Sequence, residues 1–238
     1  MVAANPIFMK KIHILVCDWF EGLLPEFVPS FPSLFMQMFD AVEKGLVYQL
    51  YDVPKGELPV SLNRDDLYLI AGSRAGAYED QEWIHQMIRF IQRAAESNAR
   101  LTGTCFGHQI IAQALGGRVE PASRGWGGGA RSSAIVHPSA DPFFPDGTLC
   151  LLYNHNDQLV QLPEAAERIA TSDFCENEAF RMGTRILTFQ GHPEYTVPYM
   201  KHVIDISNHP QQIKDTTHAS LEVPVIHDLQ VARWMLSI

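Results

Sequence analysis

Residues Thr102–Gln109 read TGTCFGHQ, and this stretch decides both the predicted fold and the predicted chemistry. A strand-like run, Ala99–Thr102, leads into it, and a helix-like run, Ile110–Leu115, follows it. Cys105 therefore lies at a strand-to-helix corner, which is the layout of a nucleophile elbow. Glycines on both sides of the cysteine favour a sharp turn and a close approach of substrate to the main chain. The stretch predicts a thiol that points outward at the N-terminus of a helix.

Strand-like and helix-like runs alternate along the first half of the chain. The segment Asp80–Ser97 carries apolar residues at spacings of three and four behind an acidic first turn, which predicts a helix. Alternation of this kind is typical of a mainly parallel sheet with helices on both faces. The other elements predicted for this half are strands at Ile12–Cys17, Val47–Val53 and Leu67–Ala71 and a helix at Ser33–Lys44.

Beyond Val119 the strand signals become short and closely spaced, which indicates a small antiparallel excursion. These strands are predicted at Ser133–Val136, Leu149–Tyr153, Arg168–Ser172, Ala179–Met182 and Ile186–Phe189. Closing helices are predicted at Tyr195–Ser207 and Pro224–Leu236. Because no linker-like or low-complexity tract divides the sequence, we predict one α/β domain over residues 1–238.

Composition narrows the classes of function. The chain has 238 residues, of which 46% are hydrophobic, and its net charge of -9 argues against a nucleic-acid partner. No apolar run is long enough to span a bilayer, and Met1–Lys11 is too short and polar for a signal peptide. Four scattered cysteines suit reduced thiols and a cytoplasmic location. We expect no metal, since His155-x-Asp157 alone is a weak ligand pair, and no cofactor.

A second motif follows the apolar strand Ile186–Phe189. Gly191–Glu194 reads GHPE, so a histidine and a carboxylate leave a strand end two positions apart. Catalytic groups in open α/β sheets gather at the carboxyl ends of strands. We therefore expect Cys105, His192 and Glu194 to meet as nucleophile, base and orienting carboxylate.

The thiol needs this partner for energetic reasons. Lowering a cysteine pKa from about 8.5 to about 6.5 takes roughly 2.7 kcal/mol. A helix N-terminus supplies only about 0.3 to 1 kcal/mol. A neighbouring imidazolium, kept charged by Glu194, is the natural source of the remainder. Oxyanion donors are expected at the N–H of Phe106 and in the turn at Gly72 and Ser73.

These motifs resemble the class I glutamine amidotransferases, whose domains carry a catalytic triad. The match covers TGTCFGHQ, GHPE, the segment Gly72–Asp80 and the stretch from His155 to Pro163. The chain looks like a free-standing member of this family that is similar to the glutaminase half of GMP synthase and to the γ-glutamyl peptidases. The resemblance implies a flavodoxin-like three-layer sandwich with a mainly parallel central sheet and the antiparallel excursion in its second half.

The resemblance also implies a reaction. Cys105 would attack the γ-carbonyl of glutamine or a γ-glutamyl compound to form a thioester, His192 would protonate the leaving group, and water would resolve the thioester. By the same resemblance, Gln109 and the main chain at Trp126 and Gly127 would hold the α-amino and α-carboxylate groups of this small-molecule substrate. The run Gly127–Gly129 stands where related chains often carry an acidic residue.

Three functions fit these expectations. The first is a stand-alone hydrolase of γ-glutamyl amides or peptides, since no synthetase domain is attached. The second is a glutaminase subunit that delivers ammonia to a separate synthetase. The third is a non-catalytic binding module on the same fold, which the intact residues Cys105, His192 and Glu194 oppose.

Overall fold

The computed structural model describes residues 10–222 and 225–238, which form a large mixed sheet flanked by helices. The nine strands of this sheet run in the order β2-β1-β3-β4-β11-β10-β9-β6-β7, and β5 pairs with β8 in a separate ribbon. The strands are β1 Lys11–Val16, β2 Val47–Asp52, β3 Leu67–Ile70, β4 Arg100–Thr104, β5 Arg118–Pro121, β6 Gly127–Ile135, β7 Thr148–His155, β8 Asp157–Gln161, β9 Glu167–Thr171, β10 Ala179–Met182 and β11 Ile186–Phe189.

Strands β2, β1, β3, β4 and β11 are parallel, and this half of the sheet places the two motifs side by side. β11 pairs with β4 in a register that sets Phe189 opposite Thr104. Cys105 and His192 therefore leave neighbouring strands at the same edge. The predicted mainly parallel α/β sheet with its excursion is confirmed, because β10, β9, β6 and β7 continue the same sheet in antiparallel pairing.

Helices cover the two faces of the sheet in two separate groups. α1 (Phe31–Val42) shares one core with α4 (Val197–Ile206) and α6 (Asp228–Ser237). α2 (Glu82–Glu96) and α3 (Phe106–Ala114) share the core on the opposite face. α1 follows β1 and α2 follows β3, so the chain changes faces between these neighbouring strands. This point is the topological switch at which open α/β sheets bind ligands.

Several boundaries differ from the predicted ones. α3 begins at Phe106 rather than Ile110, because the helix starts directly after the elbow. β6 extends to Gly127, since a glycine run has no side-chain alternation that would reveal a strand. The prediction missed α5 (Gln211–Ser220) and the ribbon of β5 and β8, whose segments are largely polar. The predicted helix Pro224–Leu236 is α6, and Pro224 itself lies outside the described residues.

Within the described ranges no helix has the length and apolar character that crossing a membrane requires.

Candidate active site

The elbow holds Cys105 in a rare backbone conformation. Its φ is +51° and its ψ is -108°, between the last residue of β4 and the first of α3. A non-glycine residue there is strained, and such strain concentrates at functional sites. The flanking glycines serve close packing instead: a Cβ on Gly103 would overlap the backbone of Gly107, and one on Gly107 would overlap the carbonyl of Ile70. The strain therefore falls on the cysteine itself.

His192 and Glu194 form a buried pair beside this thiol. The Nδ1 of His192 donates to Oε1 of Glu194 at 2.7 Å, and each residue is only 2% exposed. Thr104 at the end of β4 donates a longer bond to the same carboxylate oxygen, at 3.5 Å. The imidazole also stacks on the ring of Tyr195, with centroids 3.9 Å apart. These contacts fix both the tautomer and the orientation of the histidine.

The electrostatics of the pair favour a charged imidazole. Burial alone would lower the pKa of His192, but the negative charges of Glu194 and the Cys105 sulfur outweigh it and raise that pKa to about 10. Nε2 of His192 is buried and has no hydrogen-bond partner among residues 10–222 and 225–238. This nitrogen is thus the one left to exchange a proton with the thiol or a substrate.

Both predicted oxyanion positions lie at the thiol. The N–H of Phe106 is the first of α3 and has no acceptor within the helix. A Cβ built on Gly72 would lie 3.9 Å from Cβ of Cys105 and 3.3 Å from Cε1 of His192. The hydroxyl of Ser73 donates to the carbonyl of Cys17 at 3.3 Å and thereby shapes the turn. A substrate carbonyl at the thiol would meet both backbone segments.

These groups open into a cleft of about 340 Å³. Gln109 of α3 and Asp157 of β8 also line this cleft. Nε2 of Gln109 donates to the carbonyl of Asp157 at 2.8 Å and to the side-chain oxygen of Gln190 at 3.1 Å. Because a carbonyl can only accept, this bond fixes the amide orientation and leaves Oε1 of Gln109 as an acceptor.

The carboxylate of Asp157 is a further acceptor in the cleft. It accepts a hydrogen bond from the hydroxyl of Tyr78 at 3.2 Å, and partial burial raises its pKa. The sequence motif from His155 to Pro163 includes Asp157 but predicts no contact of this residue with substrate. Its place two residues after His155, the buried last residue of β7, is the signal that could have found it.

Trp126 and Gly127 lie behind the wall of the cleft. The indole N–H of Trp126 donates to the side-chain oxygen of Asn154 at 2.9 Å, and its ring stacks on His209 with centroids 4.0 Å apart. Gly127 pairs with His155 in the β6–β7 ladder. A Cβ on Gly128 would overlap the indole of Trp126. The glycine run thus lets Trp126 fold back over its own strand to support Asn154.

A partly buried arginine holds this wall from behind. Arg131 lies between the rings of Tyr153 and Phe174, with its guanidinium carbon 4.1 and 4.3 Å from their centroids. It donates to Nε2 of His155 at 3.1 Å and pairs with Glu178, whose side chain is fully buried, at 3.2 Å.

His155 connects Arg131 to the residues of the cleft. Since the arginine can only donate, Nδ1 of His155 carries the proton and donates to the carbonyl of Asp157 at 3.0 Å. Burial, reinforced by the positive charge of Arg131, lowers the pKa of His155 to about 3. The imidazole therefore stays neutral and acts as a fixed strut between Arg131 and the segment that carries Asp157.

The described residues contain no group of three metal-binding side chains. The four cysteines, all within these residues, are free and buried. Cys175 is 1% exposed and lies in the core beside the Arg131 cluster.

The fold and the elbow define a class of protein, and comparison with known families identifies it. The family model for glutamine amidotransferase class-I matches residues 52–205, and the chain belongs to this family. It is an enzyme of the hydrolase or amidotransferase type.

Two related proteins and one solved structure show what the chain is similar to within this family. The chain is similar to γ-glutamyl peptidase 5 of Arabidopsis thaliana, with 34% identity over 170 residues that cover 68% of each chain. It is also similar to one of the subunits of a glutamine-hydrolysing GMP synthase from Methanospirillum hungatei, with 33% identity over 42% of this chain and 53% of that one. A glutamine amidotransferase structure from Thermotoga maritima shares the fold, with a TM-score of 0.71, 22% identity and coverage of 95% and 96%.

Proposed function

We propose that this protein hydrolyses γ-glutamyl amide bonds through a covalent γ-glutamyl thioester on Cys105. The observation that carries the proposal is that the strained elbow cysteine and His192 line the same cleft, with Nδ1 of His192 held by Glu194 at 2.7 Å. The similarity to γ-glutamyl peptidases supports the same acyl group.

The first half of the reaction releases the amine. The thiolate of Cys105 attacks the γ-carbonyl, and the N–H groups of Phe106 and the Gly72–Ser73 turn stabilise the oxyanion. The imidazolium of His192 gives its Nε2 proton to the amide nitrogen as the carbon–nitrogen bond breaks. A raised pKa suits this role because the histidine is charged before the substrate binds.

The second half regenerates the thiol. His192, now neutral, takes a proton from water, which attacks the thioester carbonyl and releases glutamate with Cys105 as the thiolate. Glu194 keeps the imidazole in one orientation through both proton transfers. No group beyond the triad and one water is required for the protons to balance.

We also infer how the γ-glutamyl group is held. Its α-ammonium would contact Oε1 of Gln109 and the carboxylate of Asp157, which are acceptors that line the cleft. Asp157 would then supply the negative charge for the substrate ammonium, which the glycine run Gly127–Gly129 cannot supply. Trp126 and Gly127 would act behind the wall by supporting Asn154 rather than by touching the substrate.

A second function is that of a glutaminase chain within a two-chain synthetase. The similarity to the GMP synthase relative favours it, although that match spans 42% of this chain. In that case, glutamine turnover by the isolated chain would be weak and would rise when the synthetase chain is added.

Trapping the acyl-enzyme tests the proposal. The isolated chain is incubated with glutamine, γ-glutamyl peptides or diazo-oxo-norleucine and examined by intact-mass and peptide mass spectrometry. We expect the label on Cys105, release of the amine, and loss of both in Cys105→Ala. Cys150→Ala, which removes a buried cysteine outside the cleft, is the matched control. A folded chain that takes no label and releases no amine would be a binding module, contrary to the proposal.

A further inference from the structure

A second cavity opens at the topological switch of the sheet. It measures about 640 Å³ and lies beyond the carboxyl ends of β1, β2 and β3, between the turn at Asp18 and the segment from Asp52 to Lys55. Ligands of open α/β folds bind in this position. None of the triad residues lines it, so the reaction described above leaves this crevice without a role.

The crevice adjoins the cleft at the thiol. The two cavities share the wall formed by Phe20, Ser73, Arg74, Ala75 and Glu79. This shared wall includes the residues that directly follow the oxyanion glycine, Gly72. A group attached to the reacting carbonyl would reach the crevice by passing along these shared residues, next to the oxyanion turn.

The position of His192 sets which part of the substrate goes there. Phe20 packs on Phe31, Phe31 on Tyr195, and Tyr195 on His192, with centroid distances of 4.5, 6.5 and 3.9 Å. The ring of Phe20 is thus on the side of the cleft where the proton donor stands. The acceptors proposed for the acyl side chain line the cleft but not the crevice. The leaving group, which receives the proton, therefore faces the crevice.

Several contacts hold the residues that the two cavities share. Phe20 has a φ of +51°, a conformation that is rare for an aromatic residue. Asp18 holds it there by accepting the N–H of Phe20 at 2.9 Å. The same carboxylate accepts two bonds from Arg74, at 2.6 and 2.9 Å, and the guanidinium lies over the Phe20 ring at 5.4 Å. Strained residues locked in this way are typical of ligand clamps.

The chemistry of the crevice fits a peptide. Trp19 and Phe20 line the crevice with aromatic side chains. Charges of both signs are present, as Arg74 with Asp18 and Lys55 with Asp52 at 2.8 Å. A departing amino acid or peptide carries an apolar side chain, a carbonyl, an ammonium and a carboxylate. Ammonia uses none of these features.

We propose that the switch crevice is the leaving-group site, and that the enzyme prefers γ-glutamyl peptides with an apolar first residue to free glutamine. This inference rests on the proposed function. In the acylation step the sulfur–carbon bond forms at Cys105, the amide carbon–nitrogen bond breaks, and the Nε2 proton of His192 passes to the nitrogen of the peptide. The free peptide leaves through the crevice, and water then enters to hydrolyse the thioester.

The test compares γ-glutamyl-phenylalanyl-glycine with glutamine as substrates of the full chain. We expect kcat/KM to be higher for the tripeptide, and Trp19→Ala to lower the ratio of the two kcat/KM values about tenfold, since a lost apolar contact costs discrimination of this order. Phe27→Ala, which truncates an aromatic side chain that is 59% exposed and lies outside the crevice, is the matched control and should leave the ratio unchanged.

Two results would overturn the inference in distinguishable ways. If glutamine is hydrolysed as fast as the tripeptide, or Trp19→Ala slows both equally, the crevice is not the leaving-group site while the proposed function stands. If neither substrate is cleaved and diazo-oxo-norleucine does not label Cys105, the proposed function itself fails. Thermal unfolding and the rate of Cys105 alkylation by iodoacetamide confirm that each variant is folded, and Lys55→Ala repeats the test at a more exposed position.

Discussion

The two halves of the sheet contribute different things to the cleft. The parallel half carries the proposed reacting groups, because Cys105 and His192 follow the adjacent strands β4 and β11. The antiparallel half, together with the separate β5–β8 ribbon, supplies the opposite wall, where Asn154 of β7 and Asp157 of β8 lie. Strand ends in a parallel sheet converge without further support, whereas the wall depends on the cluster around Arg131. In the proposed reaction, the parallel half therefore carries the reacting groups and the opposite wall recognises the substrate.

Glu194→Gln tests the parallel half and should have the largest effect on kcat. The amide cannot stabilise the imidazolium, and it favours the wrong tautomer, so kcat should fall about 10³- to 10⁴-fold. Steady-state rates on a γ-glutamyl amide measure it, with Glu96→Gln as an exposed control on the same half. A loss below tenfold would mean that the carboxylate does not orient His192.

Asp157→Asn tests the wall on the antiparallel side of the cleft directly. Removing the charge that would face the substrate ammonium should raise KM about 10- to 100-fold, because hydrogen bonds to charged groups contribute about 1.5–3 kcal/mol. The value of kcat at saturation should change little. Asp141→Asn, an exposed aspartate in the same half, is the control, and a fall in kcat with an unchanged KM would contradict the assignment.

Arg131→Met asks whether the wall is positioned from behind. Burial already raises the pKa of Glu178, so this carboxyl can take up a proton when its partner is lost. We expect KM to rise about fivefold with kcat and the alkylation rate of Cys105 nearly unchanged, since the loss of one positioning bond is worth about 1 kcal/mol. Arg168→Met, which removes a half-exposed arginine of β9, is the control. A fall in kcat as large as the rise in KM would indicate a general loss of structure.

The pH dependence of the free energy of unfolding should distinguish the two halves. Each half contains one histidine with a shifted pKa, and the two shifts are opposite in sign. The folded pKa of His192 is raised to about 10, so its contribution is complete below about pH 6.5 and is lost as pH rises toward 10. The folded pKa of His155 is lowered to about 3, so its contribution is complete above about pH 6.5 and is lost as pH falls toward 3.

Urea unfolding from pH 4 to pH 10 measures both effects. His192→Gln should flatten the alkaline side of the stability profile and His155→Gln the acid side. Flattening on the same side by both variants would show that the two signs are not opposite. The buried His108, whose pKa burial also lowers to about 3, keeps part of the acid slope in either variant.

Local patterns predicted the parallel half well. The sequence around Cys105 and the GHPE motif each carry their own strand, turn and glycines, so their placement follows from pattern alone. The antiparallel half was harder to predict because its functional contacts join distant residues: Arg131 with Glu178, and Trp126 with Asn154. An arginine packed between two rings leaves no periodic signal in a sequence. A cytoplasmic location stays a prediction from the cysteines.

The sequence by itself determined the α/β class and the strand-to-helix position of the proposed nucleophile, because these depend on hydrophobic period and on glycines within a few residues of the thiol. Only the tertiary structure decided that Cys105 itself bears the backbone strain, that Asp157 reaches the cleft, and that a second crevice opens at the switch between β1 and β3. The physical reason is the separation along the chain over which each feature is determined. Turn chemistry acts over neighbouring residues, whereas a cavity is the space left when distant elements pack.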